Sequence, residues 1–259
     1  MRLLLLITFI TSTSFAFTQE FKDYELQPYN KEFRYKLIDE TTVLDKDDSI
    51  EALIIIFKHP VYEYAQLSIR NNPQLKEIKL FMPNEEIIKF ISENNLQSLT
   101  YLFIERHAGN TLEIPSFPGL EHLTIKSSKL ESLNMVNAAL DKVIILDIEA
   151  PKLTEWKTAT AMPNVELINL QAPLLSYFPI EQMPKIFEFI FSCSFKVLPI
   201  GLCDYSDLRL ISFTNYTPLT PDACLITKIE NCVYSDLTIY NKIDGEKIHE
   251  ILSKDQIDK

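Results

Sequence analysis

Glycine is scarce in this chain: 4 of 259 residues. Phosphate-cradling loops need glycine for tight turns and close backbone approach, so the scarcity argues against nucleotide-binding folds. Positive charge is also short. Lys and Arg total 25 against 36 Asp and Glu, a formal charge of −11, which disfavours nucleic acid as a partner because its main attraction is through phosphate. Beyond the amino terminus no uninterrupted apolar run reaches the length of a membrane span, and no transmembrane segment is expected. Catalytic and metal-binding patterns are missing as well. His59, His107, His122 and His249 form no HExxH pair or other close ligand spacing, and neither GxSxG nor a P-loop occurs. The acidic run from Asp45 to Glu51 lacks glycine at its sixth position and has Ile56 where a calcium loop places its bidentate glutamate. It reads as a solvated junction. The sequence therefore predicts no enzyme, no metal and no cofactor.

What is present is a foldable chain, 46% apolar and 24% charged, too hydrophobic to remain disordered. Arg2 precedes an apolar stretch from Leu3 to Ile10, followed by Ser14, Phe15 and Ala16 in a small-x-small pattern. Residues 1–16 are expected to be a signal peptide, and the protein to be secreted and extracellular. The closing residues Gln256 to Lys259 do not match a retention signal.

The centre of the chain repeats. Apolar anchors recur at offsets 0, +3 and +5: Leu99, Leu102, Ile104; Leu120, Leu123, Ile125; Val143, Leu146, Ile148; Val165, Ile168, Leu170; Ile186, Phe189, Phe191; Leu208, Ile211, Phe213. The six starts, from Leu99 to Leu208, are almost evenly spaced. The +3 and +5 residues alternate as a short strand requires, and Leu130, Leu153 and Leu175 are placed to turn back into the same core. A unit this small cannot bury its own apolar face, so stacking must do it. Earlier in the chain Ile50, Leu53 and Ile55 could open the array. Tyr64, Leu67, Ile69 and Leu75, Ile78, Leu80 start only half a period apart, so both cannot be full repeats. Ile87, Ile88, Phe90 and Ile91 fit a short helix on the outer side of an enlarged unit.

With these residues in hand, the chain resembles the leucine-rich repeat family, in a secreted form whose degenerate repeat lacks the asparagine ladder. The unit from Leu120 to Leu130 follows the family spacing but has Ser128 where asparagine is usual, and the next two units have Pro151 and Pro173 there. The prolines from Pro151 to Pro184 read as recurrent turn control. The fold class implied is an α/β-type solenoid: a right-handed coil with short parallel strands on one face and irregular or short helical segments on the other. The expected organisation is a signal peptide (1–16), an amino-terminal cap (17–49), irregular first repeats (50–95), regular repeats (96–220) and a cysteine-containing carboxy-terminal cap (221–259). That last cap is expected to hold a strand through Leu237 and Ile239 and a helix from Gly245 to Ser253, where Ile248, Ile251 and Leu252 share a helical face.

Repetition also sets side chains in outward columns. Tyr101, His122, Ile145, Leu167, Glu188 and Leu210 form one; Phe103, Thr124, Asp147, Asn169, Ile190 and Ser212 a second; Glu105, Lys126, Glu149, Gln171, Ser192 and Thr214 a third. Apolar anchors among polar groups suit a protein-binding surface. The binding candidates are Tyr101, Phe103, Glu105, His122, Thr124, Lys126, Asp147, Glu149, Asn169, Gln171, Glu188 and Ile190. The resulting expectation is a secreted, non-enzymatic recognition protein that binds an extracellular protein or other macromolecule. A matrix or surface-coat component is the alternative, and an enzyme inhibitor or enzyme a weaker one.

Two modifications are also expected. In an oxidising compartment the four cysteines read as two disulfides. The interval from Cys203 to Cys224 is nearly one repeat, which favours their pairing and leaves Cys193 with Cys232. The local pairs Cys193 with Cys203 and Cys224 with Cys232 are the alternative. Asn215-Tyr216-Thr217 is a glycosylation sequon.

Overall fold

Strict alternation makes each repeat a strand with one inward and one outward face, and only a neighbouring strand can satisfy its backbone. The computed structural model describes residues 50–57, 69, 73–94, 96–158, 161–195, 205, 208–216 and 227, together with the backbone of strands at 35–38, 234–240 and 247–252. The expected signal peptide and most of the expected amino-terminal cap lie outside the described residues. Residues 34–259 form one compact unit, to which all of these strands belong.

The strands and helix, in chain order, are β1 (Tyr35–Ile38), β2 (Ala52–Ile56), β3 (Glu77–Phe81), α1 (Glu85–Glu93), β4 (Tyr101–Glu105), β5 (Thr111–Glu113), β6 (His122–Lys126), β7 (Ser132–Asn134), β8 (Ile145–Glu149), β9 (Glu155–Lys157), β10 (Leu167–Gln171), β11 (Glu188–Cys193), β12 (Leu210–Asn215), β13 (Tyr234–Tyr240) and β14 (Lys247–Leu252). An eleven-stranded sheet runs β1-β2-β3-β4-β6-β8-β10-β11-β12-β13-β14. Its pairs are parallel up to β13, and β13 with β14 is antiparallel. The architecture is a right-handed, mostly parallel β-solenoid with sparse, short helical content.

The six repeat triplets fall in one register. Leu102, Leu123, Leu146, Ile168, Phe189 and Ile211 are successive partners, as are Ile104, Ile125, Ile148, Leu170, Phe191 and Phe213. All twelve are buried. Leu130, Leu153 and Leu175 turn back into the core as expected and are also buried. Of the two competing early triplets, Leu75, Ile78 and Leu80 supply the strand: Leu53 pairs with Ile78 and Ile55 with Leu80. Ile69 is buried; Tyr64 and Leu67 lie outside the described residues. The expected helix is α1, with Ile87, Ile88 and Ile91 buried. The Asn84 side chain caps it by accepting from the Ile87 N–H at 3.0 Å.

Backbone groups do the work that an asparagine ladder would do. One residue beyond each strand, at +7, the N–H reaches across to the next coil: Arg106 to the Lys126 carbonyl, Ser127 to Glu149, Ala150 to Gln171 and Ala172 to Ser192, all at 2.7–3.0 Å. Pro151 and Pro173 then stand second in tight turns closed by Leu153 N–H to Ala150 and Leu175 N–H to Ala172, each at 2.9 Å. That place in a turn favours a backbone already fixed in φ and needs no donor, and proline supplies both.

The second face of the coils differs from the expectation. Where irregular or helical segments were expected, residues 111–157 form a three-stranded parallel sheet, β5-β7-β9, because Leu112, Leu133 and Trp156 pair in register and bury against the main sheet. The column continues into Phe178, whose ring stands edge-on to Trp156 at 4.9 Å and to Phe191 at 5.2 Å. Where the small sheet ends, aromatic rings fill the interior instead. In the carboxy-terminal segment the strand through Leu237 and Ile239 is β13, whereas the expected helix at 245–253 is a strand over Lys247–Leu252. Without it β13 would present a bare row of backbone donors and acceptors; antiparallel pairing with β14 satisfies them, and that demand overrides a local helical pattern.

Candidate functional site

Each main-sheet strand from β4 to β12 turns three side chains outward, and the pairing lines them up in columns. All twelve binding candidates stand on this outward face: three each on β4 and β6, and two each on β8, β10 and β11. Accessibility grades along it. At the amino-terminal end Ala52, Glu77, Lys79, Glu105 and Thr124 are buried, so Glu105 and Thr124 are closed to a ligand. From β8 to β12 every outward residue is half-buried or exposed.

The closed end carries a compact cluster in which the sequence singled out Tyr101, Phe103 and His122 but not Glu77, Lys79 and Phe81, because the register of the early repeats was ambiguous there. The Lys79 ammonium lies 2.9 Å from the Glu77 carboxylate and 5.6 Å from the Tyr101 ring centre. Tyr101 packs on His122 with centroids 4.5 Å apart. Burial, reinforced by the positive charge of Lys79, pushes the His122 imidazole down to a pKa of about 4. Phe81 and Phe103 pack alongside at 5.9 Å.

The open end is built differently. Asp147 sits at its near edge and accepts a 2.9 Å hydrogen bond from Asn169 on the next strand. Burial raises its pKa against the opposing influence of Lys126 and that hydrogen bond. Lys126 reaches the Glu149 carboxylate at 3.5 Å, and Gln171 is exposed beside it. On β11, Glu188 is flanked by Leu167 and Leu210 on the two adjacent strands, with Ile190 next on its own outward face. Ser192 donates to the Tyr216 hydroxyl at 3.1 Å. Aliphatic and polar positions therefore interleave over four strands, about 14 Å across.

The expected disulfides require correction. Among the described residues no Sγ pair stands at bonding distance, and Cys193 is a free thiol. It is the last residue of β11, at the inward +7 position, in register with Asn215 and fully buried. Burial pushes the thiol far above its ordinary pKa. The intervals between cysteines carry no sign of this, whereas strand alternation commits Cys193 to the core. Cys203, Cys224 and Cys232 lie outside the described residues.

Asn215 occupies the same inward column one coil later. Its side-chain oxygen accepts from the Phe195 N–H at 2.8 Å and its Nδ2 donates to the Phe195 carbonyl at 3.0 Å, while its own exposure is zero. In this fold the sequon nitrogen is a buried hydrogen-bond donor, and a glycan attached to it would not fit the packing.

Among the described residues no group of three or more His, Cys, Asp and Glu is placed to hold a metal ion, and no helix is long and apolar enough to cross a membrane. Fold and face together define a parallel β-solenoid with a graded, mixed polar and apolar sheet surface. No family model and no curated protein matches the chain.

Proposed function

We propose that this chain is a secreted, non-enzymatic, leucine-rich-repeat-like recognition protein that binds another protein through the outward face of its main sheet. The observation that carries the reading is the open stretch from β8 to β12, where Ile145, Leu167, Ile190 and Leu210 stand half-buried among polar groups on a rigid, register-locked surface. Aliphatic anchors ringed by polar residues match the anatomy of a protein interface. The 0, +3, +5 spacing on parallel strands supports the leucine-rich-repeat-like description, and the apolar leader supports secretion.

The test is affinity capture from extracellular material with the secreted protein, run beside a Leu167→Arg/Ile190→Arg variant and a Ser132→Arg variant on the opposite sheet. A protein retained by wild type and by Ser132→Arg but lost by the double variant is the expected result. Identical retention by all three overturns the proposal.

A further inference from the structure

The open stretch has a charge pattern that restricts its partner. Its twelve outward positions, on β8, β10, β11 and β12, comprise four aliphatics (Ile145, Leu167, Ile190, Leu210), five uncharged polar residues and three acids (Asp147, Glu149, Glu188), with no lysine or arginine. The acids are not equivalent. Glu149 already has Lys126 at 3.5 Å. Glu188 makes no ion pair among the described residues and stands between Leu167 and Leu210, so its carboxylate rises from an apolar floor. Asp147 is half-buried with Asn169 as its hydrogen-bond partner, and Lys126, whose ion pair is with Glu149, acts on it electrostatically without pairing to it.

Resting on the recognition reading above, we infer that this stretch docks a basic, amphipathic polypeptide segment, whose arginine or lysine heads seat on Glu188 and Asp147 while their stems cover Leu167, Ile190 and Leu210. Long basic side chains suit the arrangement because they pair an apolar stem with a charged tip. An acidic or wholly apolar partner would leave both half-desolvated carboxylates unpaired or repelled. Two strand spacings and one outward step separate the two acids by about 12 Å, which an extended segment spans with basic residues four positions apart. Burial already disfavours the charged form of Asp147, and an incoming cation relieves that cost.

The probe is a labelled peptide of three Arg-Leu-Ser-Gly units, compared with the same peptide carrying citrulline or glutamate in place of arginine. Binding to the secreted protein is followed by fluorescence anisotropy at two salt concentrations. The arginine peptide should bind saturably, more weakly at high salt, and at least tenfold tighter than the citrulline peptide. Glu188→Gln/Asp147→Asn should remove that tenfold preference and Ile190→Ser should weaken binding, while Asp141→Asn, on an exposed turn, should leave it unchanged. Thermal midpoints confirm that the variants are folded. Equal affinity for all three peptides, or an unchanged preference in the acid double variant, overturns the inference. It is equally overturned if the Leu167→Arg/Ile190→Arg capture assay still identifies a face-dependent partner and that partner's contact segment is acidic, an outcome that leaves the recognition reading standing.

Discussion

His122 is held neutral by its surroundings: Tyr101 covers one side of the ring, Lys79 repels a proton, and Thr124 lies 3.4 Å from Nε2. Its folded pKa of about 4 is below the ordinary 6.5, so between these values the unfolded chain binds the proton and the folded chain does not. Stability from this group is present above pH 6.5 and is lost as pH falls towards 4, by roughly 2 kcal/mol after allowance for partial solvent exposure. Urea titrations at pH 7 and pH 4.5 should show His122→Gln losing less stability than wild type on acidification. Equal losses would remove the desolvation argument. Cys193 gives a second residue-scale test. A thiol buried at this depth and held in its protonated form is a poor nucleophile, so it should resist alkylation in the native protein and react fully in denaturant. Rapid native labelling at Cys193, read by peptide mapping, would contradict its place in the core.

The element that distinguishes this solenoid is the inward +7 column of Ser127, Ala150, Ala172, Cys193 and Asn215. The +7 N–H groups of Ser127, Ala150 and Ala172 bond across to the next coil, as does that of Arg106, which opens the column with a larger side chain. Where the second sheet has ended, Asn215 takes over and satisfies both backbone groups of Phe195. Asn215→Ala would leave a buried N–H and a buried carbonyl without these partners, a loss of about 2 to 4 kcal/mol at typical costs per group. Chemical denaturation measures it, and a change of a few tenths would refute the role. Leu146→Ala, at the centre of the array, should cost about 2 to 5 kcal/mol. Gly119 shows why one of so few glycines is indispensable. A Cβ there would stand 2.7 Å from the Gln97 carbonyl oxygen and 2.9 Å from that of Leu99, so the limit comes from the neighbouring coil and could not be read from local sequence.

Across the whole molecule, stability should follow position in the stack. Among the described strands of the main sheet, each interior one pairs on both sides, whereas β1 and β14 pair on one, and a solenoid's stability is approximately a sum over neighbouring interfaces. Native-state hydrogen exchange should therefore find the slowest amides in β6, β8 and β10 and progressively faster ones towards β1 and β14. Uniform protection would show that the array opens only as one unit. The sequence by itself determined the repeat and its phase, because strand alternation combined with a nearly constant period admits one inward set, and it therefore placed the twelve candidate residues on one face. It did not determine which of them are accessible: Glu105 has the same phase as the exposed Glu149 and Gln171, Thr124 the same phase as the half-buried Asp147 and Asn169, and both are buried all the same. The second sheet, the strand at Lys247–Leu252 and the free thiol of Cys193 were likewise decided by tertiary structure. In each case unpaired backbone or core volume on a neighbouring coil chose the outcome, and sequence spacing within one coil carries no information about its neighbour's needs.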